Sequence, residues 1–162
     1  MNKFIFMLLS LFLFSCSTSS HQIKKSVDRL TIAAQPSKAQ LEKVSKDGFE
    51  IVINLRSPGE FKDFKEEEYV KELSLDYYNL PFFNKDKSIN KSSIEQISQI
   101  VNINSDKKIF LHCSSGNRAA AWYLIHLHKN EGYTVYKAIV EARKKGLTKA
   151  PLEKKVINFL KN

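Results

Sequence analysis

The chain has 162 residues, 43% of them hydrophobic and 27% charged, with a formal net charge of +9 and two cysteines. That length gives one domain whose core needs no disulfides to hold it. The lysines are scattered and no aromatic residues interleave with them. This excludes the usual footprint of a nucleic-acid surface and leaves solvated faces, acidic membrane surfaces or anionic ligands as uses for the charge.

The N-terminus stands apart. Lys3 precedes an apolar run from Phe4 to Phe14, followed by Ser15 and Cys16. Eleven such residues make a helix of roughly 16 Å, about half the hydrocarbon thickness, so the run reads as a secretory signal rather than a spanning anchor. Leu13 to Cys16, "LFSC", resembles the bacterial lipobox, in which the cysteine is lipidated and becomes the mature N-terminus. The resemblance implies a signal peptide over 1–15, a lipidated Cys16 and polar tether over 16–26, and a folded domain over 27–162. It also implies export and a lipid anchor at a bacterial membrane, on the periplasmic side or at the cell surface. The alternative is an ordinary signal peptide in which Cys16 is incidental. If Cys16 carries lipid, Cys113 has no intramolecular partner, and an unpaired thiol in an oxidising compartment calls for a use.

The rest alternates strand and helix. "LTIAAQP" (Leu30 to Pro36) reads as a first strand, followed by a helix with Ser37 and Gln40 at capping-box spacing and Gly48 as its stop. "FEIVINL" (Phe49 to Leu55) is a short buried strand closed by the Ser57-Pro58-Gly59 turn. A charged helical piece, roughly Glu60 to Leu73, leads to a strand ending near Pro81. A polar loop and a helix with Ile94, Ile97, Ile100 and Val101 on one face come next, with Ser92 and Glu95 again at capping-box spacing. "KKIFLHC" is the last strand, and a helix runs from about Arg118 to Lys129. Thr134 caps the next helix, and Gly146 and Pro151 punctuate the C-terminal pair. The alternation predicts an α/β fold: a mostly parallel sheet with helices on both faces, and ligands beyond the carboxyl ends of the strands.

Cys113 lies at one such end, in "HCSSGNR". A strand entering a short loop of small residues and then a helix aims several backbone N–H groups at one point, and the helix dipole adds positive charge there. Arg118 supplies a planar cationic fork, and a cysteine beside it has its thiolate favoured. The loop is thus a nucleophile and an anion cradle together. Phosphate esters and sulfane sulfur donors both use this logic. His-Cys, five residues, Arg is the cysteine-phosphatase signature; the four residues here match rhodanese-type sulfurtransferases. On the loop alone the two stay open.

More of the chain resembles one family. Gln35-Pro36 before the first helix, Asn54-Leu55-Arg56 after the next strand, His112 to Arg118, Trp122 and the tail "YTVYKAIVEARKKGLT" are similar to the beta-lactamase-hydrolase-like phosphatase-like family, bacterial relatives of the dual-specificity tyrosine phosphatases. The similarity covers about Val27 to Leu160, and it makes the short loop a family trait. It implies a cysteine-phosphatase-like fold and hydrolysis of phosphate monoesters, phosphotyrosine in proteins among them, through a thiophosphate intermediate. It implies no cofactor or metal, and a phosphorylated partner.

The expected roles follow. Cys113 is the nucleophile and Arg118 the oxyanion ligand, while Ser114, Ser115, Gly116 and Asn117 bind the anion mainly through their amides. Arg56, on the same sheet edge, is a second anion contact or a surface salt bridge. His112 precedes the cysteine in the strand, so its side chain points away from the loop mouth and its role is structural. Asp86, in the loop 27 residues before Cys113, matches the family's general acid, ahead of Asp63 and Asp76. Trp122, Leu124, Ile125 and Leu127 belong to the core, and His126 and His128 lack partners at metal-ligand spacing. The rival functions are sulfur transfer through a Cys113 persulfide, and a module that binds phosphate or sulfate ligands without turnover.

Overall fold

The computed structural model describes residues 29–62 and 64–161. The signal, Cys16 and the tether, and Asp63, lie outside the described residues. Four strands build the sheet: β1 (Leu30–Ala33), β2 (Phe49–Asn54), β3 (Asp76–Asn79) and β4 (Lys108–His112). They lie in the order β1-β4-β2-β3, every neighbouring pair parallel. The two central strands, β2 and β4, are apolar on both faces, as a sheet covered on both sides requires.

Helices α1 (Lys38–Lys46) and α2 (Glu66–Glu72) cover one face, where Leu41, Val44, Val70 and Leu75 meet Val52 and Phe110. The other face carries α3 (Lys91–Ile103), α4 (Asn117–Asn130), α5 (Val135–Lys144) and α6 (Ala150–Lys161) over Ile51, Ile53, Ile109 and Leu111. Helix α4 is the hub of this layer, with every residue from Ala119 to Leu127 buried. Ala119, Ala120 and Ala121 let neighbouring elements come close. Trp122 is wholly buried, and its indole N–H donates to the Ile94 carbonyl at 3.2 Å, so its one polar atom is satisfied. Truncating it to alanine would cost about 3–5 kcal/mol.

The capping box at Ser37 and Gln40 and the Thr134 cap form as the spacing predicts. Three boundaries differ. The charged piece does not begin its helix at Glu60: Pro58–Glu60 is a single 3-10 turn, Phe61 is extended, and α2 starts at Glu66. Glu60 is drawn back onto its own turn by Ser57 N–H (2.9 Å) and outward to Arg118, which ends the helical path. Helix α3 is capped by Asn90, whose side chain accepts from Ser93 N–H at 3.1 Å, because the Asn90 N–H is already bound to the Phe82 carbonyl. Strand β3 stops at Asn79, whose amide turns to donate to the Asn54 and Arg56 carbonyls.

Candidate active site

The carboxyl ends of β1, β2 and β4 converge where the Cys113 loop begins. Cys113 is fully buried, and its N–H reaches the Ala33 carbonyl at 3.4 Å. The loop is tied to the end of β1 by Gln35 N–H on the Ser114 carbonyl (3.3 Å) and by the bridge between Ala34 and Ser115. Gly116 closes it with φ +83° and serves as the N-cap of α4. A side chain there would meet only ordinary contacts, at 3.5 Å or more from Ala33 and Ala34, so the backbone angle is what selects glycine. The first N–H groups of α4 have no partner within the helix and face the loop.

Arg118, the second residue of α4, is the best-defined group of the site. Both ends of its fork donate to Glu60, Nη1 to Oε1 and Nη2 to Oε2, each at 2.7 Å. Its Nη2 also donates to Ser114 Oγ at 2.8 Å, and the Ser114 hydroxyl donates to Glu60 Oε2 at 2.9 Å. Burial pulls the guanidinium pKa down, but Glu60 and Cys113 outweigh it and leave it raised. The Arg118 hydrogen bonds hold the Glu60 carboxyl down at about 2, against a smaller opposing effect of burial. Glu60 and Ser114 thus engage Nη1 and Nη2, the two ends of the fork.

Below the loop, on the α2 face, a second carboxylate gathers the strand ends. Glu66 is buried and accepts from Asn54 Nδ2 (3.0 Å), Arg56 Nη2 (3.2 Å) and Gln35 Nε2. His112 Nε2 lies 2.9 Å from Glu66 Oε1, a close contact off the line of an N–H donation, and His112 Nδ1 has no hydrogen-bond partner among the described residues. Burial pushes the Glu66 carboxyl up, yet His112, Gln35 and Arg56 together hold it below its ordinary value. Tyr77 accepts from Asn54 Nδ2 at 2.9 Å, and burial together with the Glu66 charge pushes its phenol well above the usual range.

The structure therefore brings together Cys113, Ser114, Ser115, Gly116, Asn117 and Arg118. Arg56 is buried rather than on the surface, paired with Glu66 and lying 4.9 Å from the centre of the Phe61 ring. His112 faces Glu66, on the side of the sheet away from the α4 layer. Asp86 is exposed at a loop tip and accepts from Ser88 N–H (2.9 Å) and Ser88 Oγ (2.6 Å). Those bonds hold it below the usual carboxylate range, and none of its hydrogen bonds reaches the Cys113 loop. Asp76 is exposed at the start of β3, 3.9 Å from Lys107. His126 stacks on Trp122 and bonds Ser98, and no cluster of three metal-ligating side chains occurs among the described residues.

Glu60 and Glu66 are absent from the sequence-based candidates. The spacing of Arg56, Glu60 and Glu66 behind a strand end was the available signal, hidden in a stretch that reads as an amphiphilic helix. A groove of about 670 Å³ lined by Phe61, Lys62, Phe64, Lys65, Lys71 and Tyr77 lies on the α2 side and includes neither Cys113 nor Arg118. Size is not what marks this site.

The architecture recurs in solved structures. Tk-PTP superposes with a TM-score of 0.66 over 82% of this chain and 90% of that one, at 19% identity. Kinase associated phosphatase, in a form whose catalytic site cysteine is replaced by serine, gives 0.64 over 80% and 83%, at 11% identity. The fold is phosphatase-like. In sequence, the chain is 29% identical over 102 residues to a beta-lactamase hydrolase-like protein of Agrobacterium fabrum. That match takes in 60% of this phosphatase-like chain and 23% of the relative's length. No family model matches.

Proposed function

We propose that the chain is a cysteine-dependent phosphatase acting on phosphate monoesters, phosphotyrosine in proteins among them. The observation that carries the reading is the Cys113–Arg118 pair on a glycine-closed loop at a helix N-terminus, with Glu60 fixing the fork. Relatives in fold and sequence support it, the phosphatase fold on one side and a hydrolase-like protein on the other.

The Cys113 thiolate attacks phosphorus in line. The S–P bond forms as the P–O bond to the leaving group breaks, and the leaving oxygen takes a proton from a general acid. The loop amides, the α4 dipole and the Arg118 guanidinium hold the equatorial oxygens, whose charge is greatest in the transition state. Glu60 acts as a positioning residue: with two of the fork's donors occupied, the guanidinium plane is set before substrate arrives. Water then attacks phosphorus, the S–P bond breaks, and the thiolate leaves while a general base takes the water's proton. Asp86 is the candidate for both proton transfers. Its exposed, ionised state suits the base of the second step.

Export and a lipid anchor through Cys16 are part of this proposal and rest on the Leu13–Cys16 pattern. They would put the site at a membrane surface, tethered by the polar segment.

The test is a paired assay on the purified protein. Hydrolysis of para-nitrophenyl phosphate that vanadate inhibits and Cys113→Ser abolishes is the expected result. Cyanide-dependent thiocyanate formation from thiosulfate without phosphate release would replace this reading with sulfur transfer. Tight phosphate binding with neither activity would leave a binding module.

A further inference from the structure

The chain enters the described domain at Arg29, just before β1, and Arg29 gathers the elements that end there. Its Nη1 donates to the Asn104 carbonyl at 2.6 Å and its Nη2 to the Val101 carbonyl at 2.8 Å, which fastens the last turn of α3 beside the entry point. Burial lowers the Arg29 pKa, and the charges of Glu131, the residue after α4, and Asp106 oppose that. The connection after α4 folds back on its helix. Tyr133 N–H donates to the Leu127 carbonyl at 3.0 Å, and the Tyr133 carbonyl lies 2.8 Å from His128 Nδ1. Helix α5 starts from that point. The amino ends of the strands, the end of α3 and the start of α5 therefore share one end of the domain.

Two large apolar side chains stand out of that end. Ile103, the last residue of α3, is 78% exposed, and Tyr136, in the first turn of α5, is 77% exposed. The other exposed large hydrophobics among the described residues, Phe61 at 40% and Tyr78 at 37%, belong to the segment after the Glu60 turn and to β3. A single bare apolar side chain is ordinary; here the two barest both stand at the end where the chain enters. The Cys113 loop lies at the opposite end, since β4 runs five residues from Lys108 to His112 before reaching it. That is a sheet depth of about 17 Å.

We propose that this end of the domain rests on the bilayer, with Ile103 and Tyr136 in its interfacial region and the Cys113 loop facing away from it. The inference rests on reading the Leu13–Cys16 pattern as a membrane attachment, and goes beyond it by assigning the orientation. An anchor at Cys16 leaves the twelve residues 17–28 before Arg29. Fully extended they reach about 40 Å, so the tether alone permits any orientation and the surface has to choose. Isoleucine brings no polar atom, and tyrosine brings an apolar ring with a hydroxyl, the combination suited to a boundary that is wet on one side. Charge at this end is largely answered within the fold: Glu131 and Asp106 face Arg29, and Asp76 lies 3.9 Å from Lys107. A bilayer interface needs only the apolar pair, whereas a charged protein partner finds little unpaired charge to recognise.

The test uses tryptophan emission from the full-length chain on vesicles of phosphatidylethanolamine and phosphatidylglycerol doped with a phosphatidylcholine brominated on its acyl chains. Trp122 is the chain's one tryptophan and is wholly buried, so its signal is a constant background. Ile103→Trp and Tyr136→Trp each add a reporter at the proposed contact. Lys85→Trp adds one in the exposed loop beyond the carboxyl end of β3. All three positions are exposed, so none of the substitutions threatens the core. Bromine is expected to quench the reporters at 103 and 136 about twofold or more and to leave the one at 85 unchanged. Quenching at 85, absence of quenching at 103 or at 136, or failure of the chain to stay on the vesicles would each overturn the proposal. Absence at both, on a chain that stays bound, is also what a surface covered by a protein partner would give. The same reporters with Cys16→Ala separate this surface from the anchor. Quenching at 103 and 136 that survives without Cys16 keeps the surface and shows that lipid on Cys16 is not needed for it. Quenching lost together with vesicle retention in that variant, but present with Cys16, supports both.

Discussion

Replacing Glu60 by glutamine is expected to slow the reaction while leaving the fold intact. An arginine side chain carries about 2 kcal/mol of rotamer entropy, and the bidentate contact with Glu60 removes most of it in the resting state. Glutamine has one acceptor oxygen, so it keeps at best one of the two fork bonds. Returning about 1–2 kcal/mol of ordering to the substrate-bound step predicts a fall in kcat/KM of about five- to thirtyfold. Steady-state hydrolysis of para-nitrophenyl phosphate measures it. If kcat/KM instead rises, with KM falling, Glu60 competes with substrate for the fork and the positioning argument is wrong; no change at all refutes it equally. The same substitution has a pH signature. Glu60 is held at about 2 against 4.5 for a free carboxyl, nominally about 3 kcal/mol of stabilisation. Roughly a third of the side chain is exposed, and screening leaves about 1 kcal/mol. Because the folded-state pKa is depressed, that contribution is fully present above pH 4.5 and disappears as pH falls toward 2. The stability difference between wild type and Glu60→Gln in urea titrations should therefore be constant at neutral pH and close in acid.

Glu66→Ala should cost about 3–5 kcal/mol in urea unfolding, because it leaves buried Arg56 and His112 without their carboxylate; a loss under 1 kcal/mol would mean that water or a rearranged Asn54 replaces it. Asp86→Asn should slow alkyl phosphates more than aryl ones, whose leaving groups need little protonation, and equal effects on both would remove Asp86 from the mechanism. Cys16→Ala should shift the expressed protein from the membrane fraction to the soluble one, and retention on the membrane would refute lipidation.

The order of strands and helices, the buried run at β4 and the Cys113–Arg118 spacing were all legible in the chain, because each depends on residues within a few positions of one another. Hydrophobic period, caps and glycine placement are local signals, and the sheet they imply has room for little but a parallel arrangement with the cysteine at a strand's carboxyl end. Trp122 and its neighbours followed from the same logic: an apolar helix after a central strand has nowhere to go but the core. The two carboxylates were not legible. Glu60 stands 58 positions from the arginine it holds, and Glu66 gathers strand ends from Gln35 to His112. Such partnerships exist only after the sheet sets its strands side by side. Arg56 shows the same limit: from its place after a strand it could reach a ligand or the surface, and packing against Glu66 and Phe61 decided for the interior. The chain thus placed Cys113 and Arg118, the proposed nucleophile and oxyanion ligand, by their positions in a strand, a loop and a helix. Tertiary packing chose what holds the ligand still, since a charge's partner is set by distance in space and not by distance along the sequence.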